Sequence, residues 1–242
     1  MNFVCILIEN ENNREFLNMP HAEVRKNIES IENQLKPFGT ELLVVSKTFG
    51  PDLILEAWQA GHRKFGENRV QELLPKHEAL PADIEWHLIG HLQTNKVKYI
   101  APFIALIQSV DSEKLLAEID RQAARCGRVI PCLFQIYIAD EETKFGWEVA
   151  ELQDFYHNQG LKKYPHVHIK GLMGMATFTE NEAQVRAEFR KLKKLFEGLK
   201  AYDEKGKSEM QILSMGMSGD YLWAAEEGST MVRMGSAVFG KR

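Results

Sequence analysis

Leu42-Leu43-Val44-Val45-Ser46-Lys47 is a short apolar run of strand length that stops on a lysine. A stretch so rich in Val and Leu reads as a parallel strand covered on both faces. Side chains alternate along a strand, so Leu43, Val45 and Lys47 share one side. If that side is a protein interior, the Lys47 ammonium stands at the rim of an apolar space. Partial desolvation there favours the free amine, a nucleophile toward a carbonyl. A lysine that ends a strand and faces solvent is the competing reading of the same residues.

Outward from this run the pattern alternates. Before it, Val24, Ile28, Ile31 and Leu35 form a one-face stripe that predicts a helix over 21–36. After it, strands are expected near 63–65, 85–89, 106–110, 131–138, 169–173, 211–215 and 230–234. A helical pattern separates each from the next. Pro51 opens one over 52–60 that Gly61 closes, and another follows Gly66-Glu67-Asn68 to about 76. Residues 90–96 open a third. Asp111 is the expected cap of the next, which ends at Gly127. Further helices are expected over 148–157 and 219–227. Between these two, Thr179-Glu180-Asn181-Glu182 has a capping-box pattern ahead of Val185, Phe189, Leu192 and Phe196. Eight strands alternating with helices imply a closed (β/α)8 TIM barrel with one extra N-terminal helix. A doubly wound open sheet is the runner-up, but no GxGxxG follows the first strand.

The chain has 242 residues with a formal net charge of -4 and no basic stripe or arm, which argues against nucleic acid as a partner. Cys5, Cys126 and Cys132 show no CxxC or metal-ligand spacing, so no metal is expected, and their odd number suggests reduced thiols in the cytoplasm. The apolar run 3–8 is too short to span a membrane. Residues 1–18 read as an extension, with Met19 a candidate natural start, and 19–242 as a single domain. No exposed apolar stripe argues for a dimer, so a monomer is expected.

In such barrels the active face lies at the carboxyl ends of the strands, and phosphate commonly binds at the loops after strands seven and eight. Strand seven runs into Ser214-Met215-Gly216-Met217-Ser218-Gly219-Asp220, which offers hydroxyls and glycines ahead of a helix. Strand eight runs into Arg233-Met234-Gly235-Ser236. Either loop alone reads as an ordinary turn. Both together, opposite a lysine at the end of strand one, match what pyridoxal phosphate (PLP) requires: an anion cradle and an amine for a Schiff base. A Schiff-base aldolase acting on a sugar phosphate fits the same features.

Longer motifs go further. Val45-Ser46-Lys47-Thr48, Phe65-Gly66-Glu67-Asn68-Arg69-Val70-Gln71-Glu72, Trp86-His87-Leu88-Ile89-Gly90-His91-Leu92-Gln93-Thr94-Asn95-Lys96, Gly171-Leu172-Met173-Gly174-Met175 and the two late loops resemble the pyridoxal phosphate homeostasis protein family (YggS/PROSC). The resemblance runs from about residue 21 to the C-terminus. It implies the alanine racemase N-terminal domain-like barrel, with PLP held as a Schiff base on Lys47. It further implies Ser214, Gly235 and Ser236 as phosphate ligands, with Ser218 beside them, and Arg233 as partner of the pyridine nitrogen. Asn68 and His87 are candidate walls of the ring pocket; a helix cap and a structural histidine are their alternative readings. The stretch 138–146 departs from the family: Lys144-Phe145-Gly146 keeps the Lys-x-Gly pattern, but the family's Asn is absent.

The sequence ends at Arg242, soon after Ser236, so the β-rich second domain of the racemases is not expected. Racemisation needs an acid/base group on each face of the cofactor, and only Lys47 offers itself. The expectation is therefore a carrier and buffer in intracellular vitamin B6 homeostasis, without catalytic residues, whose partners include PLP-dependent apo-enzymes. A weakly active amino-acid racemase is the alternative.

Overall fold

The computed structural model describes residues 21–139 and 146–240. Parallel strands β1 (Glu41–Val45), β2 (Lys64–Glu67), β3 (Glu85–Leu88), β4 (Leu106–Val110), β5 (Ile130–Ile136), β6 (Val167–Gly174), β7 (Ser208–Ser214) and β8 (Met231–Met234) form a closed barrel in sequence order. Closure is made where β1 pairs with both β2 and β8, setting Val45 against Gly66 and Leu43 against Arg233. The expected barrel is thus observed, with strand ends shifted by a few residues. The first strand stops at Val45, so Lys47 stands in the turn that follows it.

Helix α1 (His21–Leu35) precedes β1 and buries Val24, Ile28, Ile31 and Leu35. Then come α2 (Pro51–Gln59), α3 (Val70–Ala79), α4 (Val97–Ile100), α5 (Glu113–Arg125), α6 (Val149–His157), α7 (Glu182–Leu199), α8 (Tyr221–Glu226) and α9 (Ser236–Phe239). Their apolar faces pack on the outward strand residues Leu42, Val44, Phe65, Trp86, Ile107 and Phe134 to make the main core. Burying one such side chain is worth about 1.5–3 kcal/mol.

Three local expectations change. Ser112, not Asp111, caps α5 by accepting from the Leu115 N–H, while Asp111 lies 3.0 Å from His91 Nδ1. Asn181 rather than Thr179 caps α7, its Oδ1 accepting from the Gln184 N–H. Residues 90–96 form an extended loop and a 3-10 turn (Thr94–Lys96) before the short α4, not a continuous helix.

Inside the barrel, Leu106, Leu133 and Met173 make a small apolar layer separate from the outer core, with Ile212 packed against it. Further toward the carboxyl ends the interior turns polar, with His87, Gln108, Ser214 and Arg233 all buried. Among the described residues no helix is long and apolar enough to cross a membrane, and no group of His, Cys, Asp or Glu could hold a metal ion. The extension over 1–18 and residues 140–145 of the departing stretch 138–146 lie outside the described residues.

Candidate functional site

A cavity of about 1010 Å³ opens at the carboxyl ends of the strands. That is ample for a cofactor-sized ligand. Its walls come from widely separated loops: Lys47 after β1, Asn68 after β2, Ser218 after β7, and Gly235 with Ser236 after β8. Arg233, on β8 itself, reaches the same space. Six residues expected from the sequence are therefore brought together.

Lys47 is exposed at the cavity rim, two residues past the end of β1. The residue as a whole is exposed because the strand stops short of it. Asn68 is half-buried and does not cap α3, whose N-cap is Arg69 without a side-chain bond. Its backbone is fixed by Gly90: a Cβ there would lie 2.4 Å from the Asn68 carbonyl oxygen. Only glycine permits that approach.

Across the cavity the hydroxyls of Ser218 and Ser236 lie 3.4 Å apart, both exposed. Gly235 brings this loop against β1, since a Cβ on it would stand 2.8 Å from the Val45 carbonyl oxygen. The Met217 N–H donates to Asp220 Oδ1 at 2.6 Å, which folds the Ser218-Gly219 tip into a tight turn. Burial raises the Asp220 carboxyl above its usual range, while the nearby Arg233 charge acts the other way.

Arg233 is buried and rigidly held. Its Nη1 donates to Ser214 Oγ at 2.7 Å and its Nη2 to the Gly174 carbonyl at 2.9 Å. Burial pushes its pKa down to about 10, with Asp220 opposing, so it remains a cation at neutral pH. Behind it the chain of bonds continues into the barrel. Ser214 donates to Gln108 Oε1 at 2.7 Å, and Gln108 Nε2 lies 3.0 Å from His87 Nδ1. An amide N–H can only donate, so Nδ1 accepts and the His87 proton sits on Nε2. Burial holds His87 neutral, with its pKa pushed down to about 3.

Two expectations are corrected by this arrangement. Ser214 and His87 do not line the cavity; they lie beneath it, and each is bonded to Gln108. The Ser214 hydroxyl already donates once, to Gln108, and accepts once, from Arg233. Gln108, in the middle of Leu106-Ile107-Gln108-Ser109-Val110, was not singled out from the sequence, though a lone amide within a buried strand is a usable signal. Glu188 also went unnoticed. Buried on α7, it accepts from the Thr177 N–H and hydroxyl at 2.7 and 2.8 Å, and so fixes the loop after β6 that carries Met175, Thr177 and Phe178 to the cavity mouth.

The site thus presents an amine on one side, two converging hydroxyls beside glycine backbone on another, and a tethered guanidinium at its floor. A flat molecule with an aldehyde and a phosphate fits that donor set.

Residues 21–242 match the family described as alanine racemase, N-terminal domain. A pyridoxal phosphate homeostasis protein of Aquifex aeolicus is 42% identical over 203 residues, covering 84% of this chain and 87% of that protein. Its counterpart in Pasteurella multocida is 35% identical over 226 residues, covering 91% and 95%. The structure of PipY from Synechococcus elongatus PCC7942 with PLP bound superposes with a TM-score of 0.79 at 34% identity, covering 90% of this chain and all of that one. By sequence and by fold, the chain belongs to the pyridoxal phosphate homeostasis protein family, built on the alanine racemase N-terminal domain.

Proposed function

We propose that this protein binds PLP in the cavity at the carboxyl end of the barrel and serves as a carrier and buffer of the cofactor. The observation that carries the reading is the convergence of Lys47, the Ser218 and Ser236 hydroxyls and Arg233 on one space. When bound, PLP supplies an aldehyde that condenses with an amine. Lys47 provides that amine. Ser218, Ser236 and the backbone at Gly219 and Gly235 would take the phosphate, while Asn68 would wall the ring. Arg233, a fixed cation, would be the partner of the ring nitrogen and would disfavour its protonation, weakening the ring as an electron sink. Ser214 contributes indirectly, by holding Arg233, with Gln108 and His87 bonded in series behind it.

A carrier is favoured over a racemase by the names of the relatives, which are homeostasis proteins. It is also favoured by the described ionisable groups in the cavity. Besides Lys47 these are Glu180, Asp220 and Arg233; Glu180 is exposed on the loop after β6, Asp220 is occupied by the Met217 N–H and Arg233 by Ser214 and Gly174. The receivers of the cofactor would be PLP-dependent apo-enzymes, and the setting the cytoplasm, where free thiols such as Cys126 and Cys132 persist. Borohydride reduction of the PLP-loaded protein followed by peptide mapping tests the binding half; label on the Lys47 peptide is expected, and label elsewhere refutes it. An alanine racemisation assay tests the other half: brisk interconversion of enantiomers would replace the carrier by an enzyme.

A further inference from the structure

Lys47 sits in a turn closed by the Phe49 N–H donating to the Ser46 carbonyl at 3.1 Å. The next residue, Thr48, has φ 67°. A β-branched side chain resists that left-handed conformation, so something must hold it. Two side chains one turn apart on α3 do so. Glu72 Oε2 accepts the Thr48 N–H at 3.0 Å, and Lys76 Nζ donates to the Ser46 carbonyl at 2.8 Å. Those two backbone groups belong to the two peptide units that flank the Lys47 Cα.

The support beneath is charged and buried. Lys76 Nζ lies 2.6 Å from Glu67 Oε1, which also accepts from Ser46 Oγ at 2.6 Å, and Glu67 is fully buried. The second carboxylate oxygen of Glu67 has no hydrogen-bond partner. A buried ion pair with an unsatisfied oxygen is a poor source of stability, because desolvation offsets most of the attraction. Its placement, against the backbone of the cofactor lysine's own turn, suggests another use.

We infer that α3 is a clamp on the lysine turn, with Glu72 and Lys76, backed by Glu67, acting as positioning residues that aim the Lys47 side chain into the cavity. The inference rests on the reading of Lys47 as the amine that takes PLP. The clamp works by geometry: without it the Thr48 backbone relaxes out of its left-handed conformation, and the Cα–Cβ bond of Lys47 swings with it.

The test separates holding PLP from joining it to Lys47. Wild type, Glu72→Ala, and the double variant Glu67→Gln/Lys76→Met, which leaves no unpaired charge, are saturated with PLP. Total cofactor retained after dialysis is measured first. The rate at which borohydride fixes it to the Lys47 peptide is then followed by mass spectrometry. In both variants fixation should slow roughly tenfold or more, the scale expected for a misaimed reacting group, while retention changes far less. Adding Thr48→Gly to Glu72→Ala should restore much of the rate, since glycine adopts positive φ without strain. Fixation at the wild-type rate in folded variants overturns the clamp, as does a parallel loss of retention and fixation that Thr48→Gly does not rescue. Absence of label on Lys47 in the wild type itself is the distinct result that removes the cofactor reading, and the clamp with it.

Discussion

At its lysine end the cavity rests on charged side chains reaching across from a neighbouring helix, whereas at its serine end it rests on close backbone approach, exposed hydroxyls and a carboxylate of the loop itself. The turn carrying Lys47 is gripped by Glu72 and Lys76, with a buried carboxylate behind them. The loops carrying Ser218 and Ser236 are shaped instead by close backbone approach at Gly235 and by the Asp220 contact to the Met217 N–H. Under the proposed function the contrast follows from what each end would do. A bond-forming amine needs one direction, and direction is set by partners that hold its backbone. A phosphate offers many acceptor lone pairs, so flexible hydroxyls and free N–H groups suffice and leave the anion able to depart. A carrier needs both.

The sharpest way to break this comparison is to remove the amine. Lys47→Ala should abolish borohydride-stable labelling altogether while some PLP stays bound through the serine end. Complete loss of binding would mean the two ends do not act separately. The next largest effect is on stability and comes from the floor between them. His87 has its folded pKa depressed from 6.5 to about 3 by burial. A depressed pKa means the unfolded chain takes up the proton first. The stability present above about pH 6.5 is therefore lost as pH falls toward 3, by roughly 3–5 kcal/mol in all. Denaturant unfolding of wild type and His87→Gln across that window should show a shallower acid slope in the variant; equal slopes would place the acid sensitivity elsewhere.

Arg233→Met comes next. It strips Ser214 Oγ and the Gly174 carbonyl of charge-assisted bonds and should weaken PLP retention by about 2–4 kcal/mol. An unchanged affinity, measured by equilibrium dialysis, would detach the floor from the ligand. The smallest effects belong to the serine end. Ser218→Ala and Ser236→Ala should each cost roughly 1–3 kcal/mol of retention, and leave the rate of fixation on Lys47 for bound cofactor unchanged. A slowed fixation rate would show that the two ends are coupled after all.

The barrel was legible because apolar runs and helical stripes alternate along the whole described chain, and each stripe, such as Val24-Ile28-Ile31-Leu35, buries where expected. Position at a strand end likewise pointed to Lys47, Asn68, Arg233 and Ser236, which do share one cavity. The depth of a residue was not legible. His87 and Ser214 stand at strand ends too, but they occupy the last inward layer below the cavity rather than its rim. Barrel strands differ in how far they project, and no periodicity records that. Nor does periodicity report contacts such as Glu188 to Thr177 or Lys76 to Ser46, where a helix side chain reaches the backbone or hydroxyl of a loop. Those contacts emerge only when the helices are laid on the sheet.

The central claim is that one small molecule is gripped at both ends of this cavity, and a crystal structure of the PLP-loaded protein tests it directly. The aldehyde carbon should be bonded to Lys47 Nζ, with the phosphate within hydrogen-bonding reach of Ser218 and Ser236 and the ring nitrogen facing Arg233. A phosphate seated away from these serines, or a lysine other than Lys47 joined to the cofactor, would contradict the account.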